Sequence, residues 1–305
     1  MASDSIIIIE KQCFVSVDCE RLKFEFSGSD KKLVAACDIA AVIVAEKAVT
    51  FTGAVLKVLA EHGAVLLTVD NSFLPIALSL PLQQNMQGAK RPHQQAKFLD
   101  SEYSHKWWNT IIKSKIYGQA SVIKDDDNKT FLQLEYIARQ IKSDDENNSE
   151  GNAAKIYWKC FFDVVNRDIS VREKQGATDI VNSCLNYGYA ILRSAVARSL
   201  AAAGYCLNFG VGHCRRDNPF NLAEDFIEPF RFIAEKAVLK ILEKYPEEEF
   251  LTSTIKKEIV REILSAEILI NNCNFRLFPG ITFTIECFGK VLDDPRRKLI
   301  LPNLN

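Results

Sequence analysis

The chain has 305 residues, 48% of them apolar and 25% charged, which is the balance of an ordinary folded protein and excludes a disordered, collagen-like or disulfide-scaffold chain. Lys and Arg number 38 against 39 Asp and Glu, a formal net charge of −1. Coating nucleic acid by overall charge is therefore excluded, and any such surface must be a local patch or one assembled by oligomerisation.

The N-terminal part reads as β-rich. Ser5–Ile9 is a β-branched run. Cys13–Val17 and Leu22–Phe26 flank a short polar turn, and Leu22, Phe24 and Phe26 alternate with Lys23 and Glu25, the pattern of a half-buried strand. Ile39–Val44 and Ala64–Val69 are further strands, and Thr52–His62 is an amphipathic helix stopped by Gly63. Residues 81–92, glutamine-rich and bracketed by prolines, read as a linker. Beyond it the apolar period turns helical, over Lys97–Gln119, Ala153–Val165, Ala177–Ala203, Leu222–Lys244 and Ile255–Asn271. The polar stretches Lys124–Lys129 and Ser143–Asn148 read as solvated loops or helix caps. The expected fold class is α+β: an N-terminal β-sandwich domain (1–80), the linker, and a larger all-α C-terminal domain (93–305). The nine cysteines have no Cys-x-x-Cys spacing and read mostly as small buried hydrophobes in a reducing cytosol. With four isoleucines behind an acidic front at the N-terminus and no long apolar run elsewhere, we expect no signal peptide, no membrane span and a cytoplasmic location.

Four histidines invite separate readings. His62 is a helix cap or surface residue, His93 lies in a basic segment, and His105 reads as packing beside Trp107 and Trp108. His213 sits in a glycine-containing break, Phe209-Gly-Val-Gly-His-Cys-Arg-Arg, between two predicted helices. Asp225 and Glu228 follow it, three apart on a predicted helix and so on one face. An imidazole nitrogen and carboxylate oxygens converging on one point suit Mg²⁺ or Mn²⁺, although acids near a helix start are also stabilised by its dipole. The same two readings apply to Glu150, placed in a first helical turn with Ser149 as its cap. Cys214 has no second ligand at zinc spacing. Without a Gly-x-Ser-x-Gly elbow or a glycine-rich phosphate loop, neither an acyl hydrolase nor a nucleotide cofactor is expected.

Taken together, the blocks resemble a known family. Ser149-Glu-Gly-x-x-Ala with Tyr157 and Trp158, then Asn182-x-x-Leu-Asn-Tyr-Gly-Tyr-Ala-Ile-Leu and Ala203-Gly204, then the Gly-His turn, then Asn218-Pro-Phe-Asn-Leu-Ala-Glu-Asp-Phe-Ile-Glu-Pro-Phe-Arg are similar to the signatures of the CRISPR adaptation integrase, Cas1. Arg91, Gln94, Gln95, Lys97, Trp107, Lys115-Ile116 and Gln119 match the linker and first long helices of that family, and the flavour resembles type II systems. The resemblance implies that Glu150, His213 and Glu228 are the catalytic metal ligands for Mg²⁺ or Mn²⁺, with Asp225 assisting the metal or its surroundings. It also implies a homodimer through the N-terminal sheets. Two such dimers would clamp the small ferredoxin-like partner Cas2 in a four-plus-two complex. That complex would insert short double-stranded DNA into the CRISPR array by transesterification from a 3′-hydroxyl. The type II effector nuclease and a helper protein are further partners by resemblance.

Arg91, Lys97, Lys115, Lys155, Arg193, Arg215, Arg216 and Arg231 are the candidate phosphate contacts, and Arg296, Arg297 and Lys298 form a late basic cluster. Tyr157, Trp158, Tyr187 and Tyr189 read as core. The rival readings are a metal-dependent nuclease of branched DNA without an integration role, and a non-catalytic DNA-organising scaffold.

Overall fold

The computed structural model describes residues 5–28, 31–69, 75–79, 87–141, 148–167, 169, 171–174 and 176–303. The chain divides into two compact units, one of Met1–His93 with Ser194–Leu207, the other of Gln94–Arg193 with Asn208–Asn305.

In the N-terminal unit, β2 (Cys13–Asp18) and β3 (Arg21–Phe26) form an antiparallel hairpin with Asp18 opposite Arg21. The turn residues Cys19 and Glu20 both have positive φ (47° and 60°), the backbone a two-residue hairpin needs to match the strand twist. β4 (Lys32–Ala35) and the short β6 (Thr50–Phe51) complete a four-stranded sheet of order β4-β3-β2-β6. The other sheet has the order β1 (Ser5–Ile9), β5 (Ile39–Val44), β7 (Val65–Val69), β8 (Pro75–Ser79). Its first three strands are parallel, as the crossover through α1 (Gly53–Glu61) between β5 and β7 requires. Val15, Leu22 and Phe24 from one sheet, Val42 and Leu66 from the other, and Val55 and Leu59 of α1 share one buried cluster. The expected N-terminal layers of strand are thus present, with β4, β6 and β8 added to the strands that the periodicity picked out.

The mostly helical unit is organised around α3 (Tyr103–Ile123), which buries Ile111, Ile112, Ile116, Ala120 and Ile123. It packs against α4 (Asn128–Gln140), α5 (Ser149–Val165), α8 (Arg231–Lys244) and a tight turn at Glu228–Phe230. Asp127 caps α4 by accepting from the Lys129 and Thr130 amides, both at 3.0 Å. α6 (Ile180–Ala202) contributes to both units. Within the N-terminal unit its Arg198 donates to the Gly63 carbonyl at 3.1 Å.

Several sequence expectations are corrected. Residues 81–86 of the linker lie outside the described residues, but 87–92 begin α2 (Gln87–Leu99), with Pro92 inside it. Gln, Lys, Arg and Ala are good helix formers, and here they prevail over the one proline. The expected helix Leu222–Lys244 is α7 (Asn221–Ile227), the Glu228–Phe230 turn and α8, broken where Pro229 lacks an amide hydrogen. Ile255–Asn271 is likewise two structures. α9 (Ser253–Leu264) ends before β9 (Glu267–Ile270), which pairs with β10 (Cys273–Arg276) across Asn271 and Asn272, both at positive φ. The helical part therefore carries a β-hairpin, followed by α10 (Leu277–Asp293). Residues 142–147 of the acidic stretch lie outside the described residues.

Cys13, Cys160, Cys184 and Cys287 are buried free thiols, Cys206 is half-buried, and Cys19, Cys37, Cys214 and Cys273 are exposed, so fewer than half of the nine are buried, not most of them. Among the described residues no helix is long and apolar enough to cross a membrane.

Candidate metal centre

α3, α5 and the Glu228–Phe230 turn bring three charged side chains to one place. Lys115 Nζ of α3 donates to Glu150 Oε1 at 2.6 Å and lies 2.9 Å from Glu228 Oε2. Glu150 occupies the first turn of α5, where the dipole favours an acid. The helix is capped by Asn148 in a left-handed conformation, not by Ser149 as expected. Glu150 is more than a third exposed at the open side, whereas the Glu228 side chain is 4% exposed. The other oxygen of Glu228, Oε1, faces Arg231 Nε at 3.2 Å, and that guanidinium lies over the Tyr189 ring at 4.6 Å. Two carboxylates thus face two cations. Burial works against the ionised form of Glu228, but Arg231 and Lys115 outweigh it and lower its pKa to about 2. Burial also opposes the charge on Lys115, and the Glu228 and Glu150 carboxylates more than compensate, so its pKa is raised.

His213 is positioned by Asp225. This carboxylate, wholly buried on α7, accepts from the His213 amide at 2.9 Å and from the Val211 and Gly212 amides. Its Oδ1 also takes the His213 Nδ1–H at 2.8 Å. A carboxylate can only accept, so Nδ1 carries the proton and Nε2 is the ring atom left for a ligand. The hydrogen bond that His213 donates to Asp225 raises the His213 pKa against the effect of burial. Burial pushes the Asp225 pKa up, opposed by His213 and the amides.

The two glycines of the turn are required by space. A Cβ on Gly210 would strike the His213 carbonyl and Asn221, and one on Gly212 would enter the Trp108 indole. Trp108 stands edge-on to the imidazole, with centroids 5.6 Å apart. Below the site, Phe226 of α7 packs on Trp107 and on Phe288 of α10, at 5.5 and 5.1 Å between centroids, which fixes the helix carrying Asp225.

The expected ligand residues therefore lie in one unit, with Glu150 and Glu228 joined through Lys115 and His213 close enough to Glu228 for their charges to interact. With the ammonium between the acids, no three His, Cys, Asp or Glu close round a point among the described residues. The donor set itself fits a divalent cation. Two hard carboxylates and one imidazole nitrogen suit Mg²⁺ or Mn²⁺. Glu228 Oε2 is buried 2.9 Å from Lys115 Nζ, and a carboxylate oxygen with one such contact keeps a lone pair able to ligate. Asp225, by contrast, already uses both oxygens on the turn.

The basic candidates separate. Lys115 and Arg231 are not surface cations; both are bound to Glu228. Arg193 pairs with Glu224 at 3.0 Å and Arg215 with Asp217 at 3.0 Å, while Lys97, Lys155 and Arg216 are exposed. Arg91, in the N-terminal unit, lies over Tyr205. His105 is exposed rather than packed. Tyr157 and Tyr189 are buried as expected, and both hydroxyls donate to the buried Glu235, at 2.7 and 2.6 Å. The sequence reading had not singled out Glu235 or the contact between Trp108 and His213.

A family model described as CRISPR associated protein Cas1 matches residues 6–263. The CRISPR-associated endonuclease Cas1 of Neisseria meningitidis serogroup C (strain 8013) is 33% identical over 275 residues, covering 88% of this chain and 86% of its own. Among solved structures, a casposase bound to integration product superposes with TM-score 0.78 at 20% identity, over 97% of this chain and 92% of that one. A Cas6-RT-Cas1–Cas2 complex superposes with TM-score 0.77 at 16% identity, over 97% of this chain and 35% of its own. At these identities the two structures speak for the fold.

Proposed function

The chain belongs to the CRISPR-associated Cas1 family, and from that premise we propose that it is a metal-dependent DNA integrase of CRISPR adaptation. The observation that carries this is the meeting of Glu150 from α5 and Glu228 from the turn after α7 at one cation, beside an imidazole held by Asp225. Glu150, Glu228 and His213 Nε2 hold Mg²⁺ or Mn²⁺ in this reading. When bound, the metal supplies Lewis acidity and positive charge at the phosphoryl oxygens.

Asp225 is a positioning residue: it fixes the imidazole tautomer and ties down the 211–213 turn. Arg231 keeps Glu228 ionised and aimed. The 3′-hydroxyl oxygen of the incoming strand attacks a phosphodiester of the target. The attacking hydroxyl gives up its proton to solvent, a new phosphorus–oxygen bond forms, the old one breaks, and the departing oxygen takes a proton from solvent to become a free 3′-hydroxyl. Water in place of the hydroxyl gives endonucleolytic hydrolysis by the same groups.

The cytoplasmic setting, the homodimer through the N-terminal sheets and assembly with Cas2 are part of this proposal. A four-plus-two stoichiometry and contact with a type II effector nuclease and helper complete it. The likeness to a casposase bound to integration product and to a Cas6-RT-Cas1–Cas2 complex supports DNA integration and a Cas2 partner as the reading to test.

A labelled duplex with 3′-hydroxyl ends, mixed with a repeat-bearing plasmid, Mg²⁺ or Mn²⁺, Cas2 and this protein, should give metal-dependent joined product. Tight binding without joining would favour the scaffold, and cutting of branched DNA alone would favour the nuclease.

A further inference from the structure

The two cations that neutralise Glu228 are held in different ways. Arg231 is fixed by its 3.2 Å contact with Oε1 and by the Tyr189 ring under its guanidinium. Lys115 reaches the carboxylates on a flexible four-carbon stem, 2.6 Å from Glu150 Oε1 and 2.9 Å from Glu228 Oε2. The contact on the Glu228 side is the longer of the two. The point within reach of both carboxylates is thus taken by this chain's own ammonium.

A divalent cation and an ammonium cannot share that point, because like charges at such a distance repel strongly in a partly buried site. Moving the ammonium away leaves it without a partner unless another anion receives it. A phosphodiester of bound DNA is such an anion, and Glu150, more than a third exposed, leaves the pair open to solvent.

We propose that Lys115 is a displaceable counter-charge: without DNA its ammonium bridges Glu150 and Glu228 against a divalent cation, and a DNA phosphate draws it off, so that DNA and metal bind cooperatively. This rests on reading the site as a divalent-metal centre. The consequence is a site that loads its cation when DNA is present and is guarded against it otherwise. Because coupling is reciprocal, metal should tighten DNA binding by the same factor as DNA tightens metal binding.

The test is a calorimetric titration of Mn²⁺ into the full chain, with and without a short duplex carrying 3′-deoxy ends that cannot be joined. For the unmodified protein, the duplex should tighten Mn²⁺ binding about tenfold or more. Lys115→Met should bind Mn²⁺ about tenfold more tightly without duplex, and the duplex should add less than about twofold. Lys115→Arg, whose fork grips carboxylates more firmly, should bind Mn²⁺ weakly without DNA. A Lys115→Met protein with unchanged or weaker Mn²⁺ affinity and an unchanged duplex effect overturns the proposal.

If Lys115→Met does not fold without metal, Lys115→Gln is melted instead. Mn²⁺ should raise its melting temperature more than that of the unmodified protein, and an equal or smaller rise overturns the proposal. Glu228→Gln separates the two levels of argument. Mn²⁺ binding by the unmodified protein that Glu228→Gln abolishes keeps the metal-centre reading, whatever Lys115 does. No Mn²⁺ binding in any condition, or binding indifferent to Glu228→Gln, removes that reading and the counter-charge with it.

Discussion

At the scale of the residue, the site depends on how single oxygens are used. Asp225 spends both on the 211–213 turn and the His213 ring, so it sets the tautomer rather than offering a free ligand atom. Asp225→Asn places an amide donor where three backbone amides already point. We expect metal affinity and joining rate to fall about 10–100-fold, with the fold retained by circular dichroism. Mn²⁺ affinity equal to that of the unmodified protein would remove Asp225 from its positioning role. Glu150, His213 and Glu228 stand out in the sequence because their types and order follow a family pattern. Asp225 was expected, by resemblance, to assist the metal or its surroundings, but its hold on the His213 ring and turn was not legible, and neither was the place of Lys115 between two carboxylates. A lysine in a helix reads as a surface cation until the fold shows which carboxylates, far away in sequence, it meets. An acid in a helix looks the same whether it faces a metal or a turn.

At the scale of the element, the Gly-Val-Gly-His turn is shaped by what surrounds it. Gly212→Ala drives a methyl group into the Trp108 ring, so either the ring or the turn must move. The overpacking should cost about 1–3 kcal/mol of stability, read by denaturant unfolding, and should weaken Mn²⁺ binding. A variant with unaltered stability and unaltered Mn²⁺ binding would mean that the Trp108 contact does not hold the turn. Strands such as Leu22–Phe26 were legible because alternation places Leu22 and Phe24 in the core while Lys23 and Glu25 face away from it. The β9–β10 hairpin was not. Its strands have four residues each, and a four-residue apolar spacing carries on through Val260, Leu264 and Ile268 without marking the end of α9. The Asn271-Asn272 pair, which takes the left-handed turn conformation, was the signal available. Pro229 was the corresponding signal for the break between α7 and α8.

At the scale of the whole molecule, one buried acid links the helices to pH. Glu235 of α8 receives Tyr157 of α5 and Tyr189 of α6, with Arg231 of its own helix and Lys115 of α3 contributing charge. Burial raises its pKa, and these donors and cations oppose the rise without cancelling it. A raised folded-state pKa gives stability that is fully present below the ordinary carboxylate pKa and is lost as pH rises through the folded value. Glu235→Gln has no such titration, so its melting temperature should gain on that of the unmodified protein as pH goes from about 4 to 7. A difference that stays flat over that range would contradict the burial-raised pKa. The order of strands before helices was legible as a change of period. The grouping of Ser194–Leu207 with the N-terminal unit was not, because α6 runs from Ile180 to Ala202 across that boundary as one helix without a break.

In the reading proposed above, Glu150 helps to hold the cation that drives strand transfer. The most direct measurement compares joining of a 3′-hydroxyl duplex to a repeat-bearing plasmid by the unmodified protein and by Glu150→Ala, alongside the duplex affinity of each. The account predicts joining lowered about a hundredfold or more in the variant, at duplex affinity within about threefold. Joining by Glu150→Ala at the unmodified rate would contradict it.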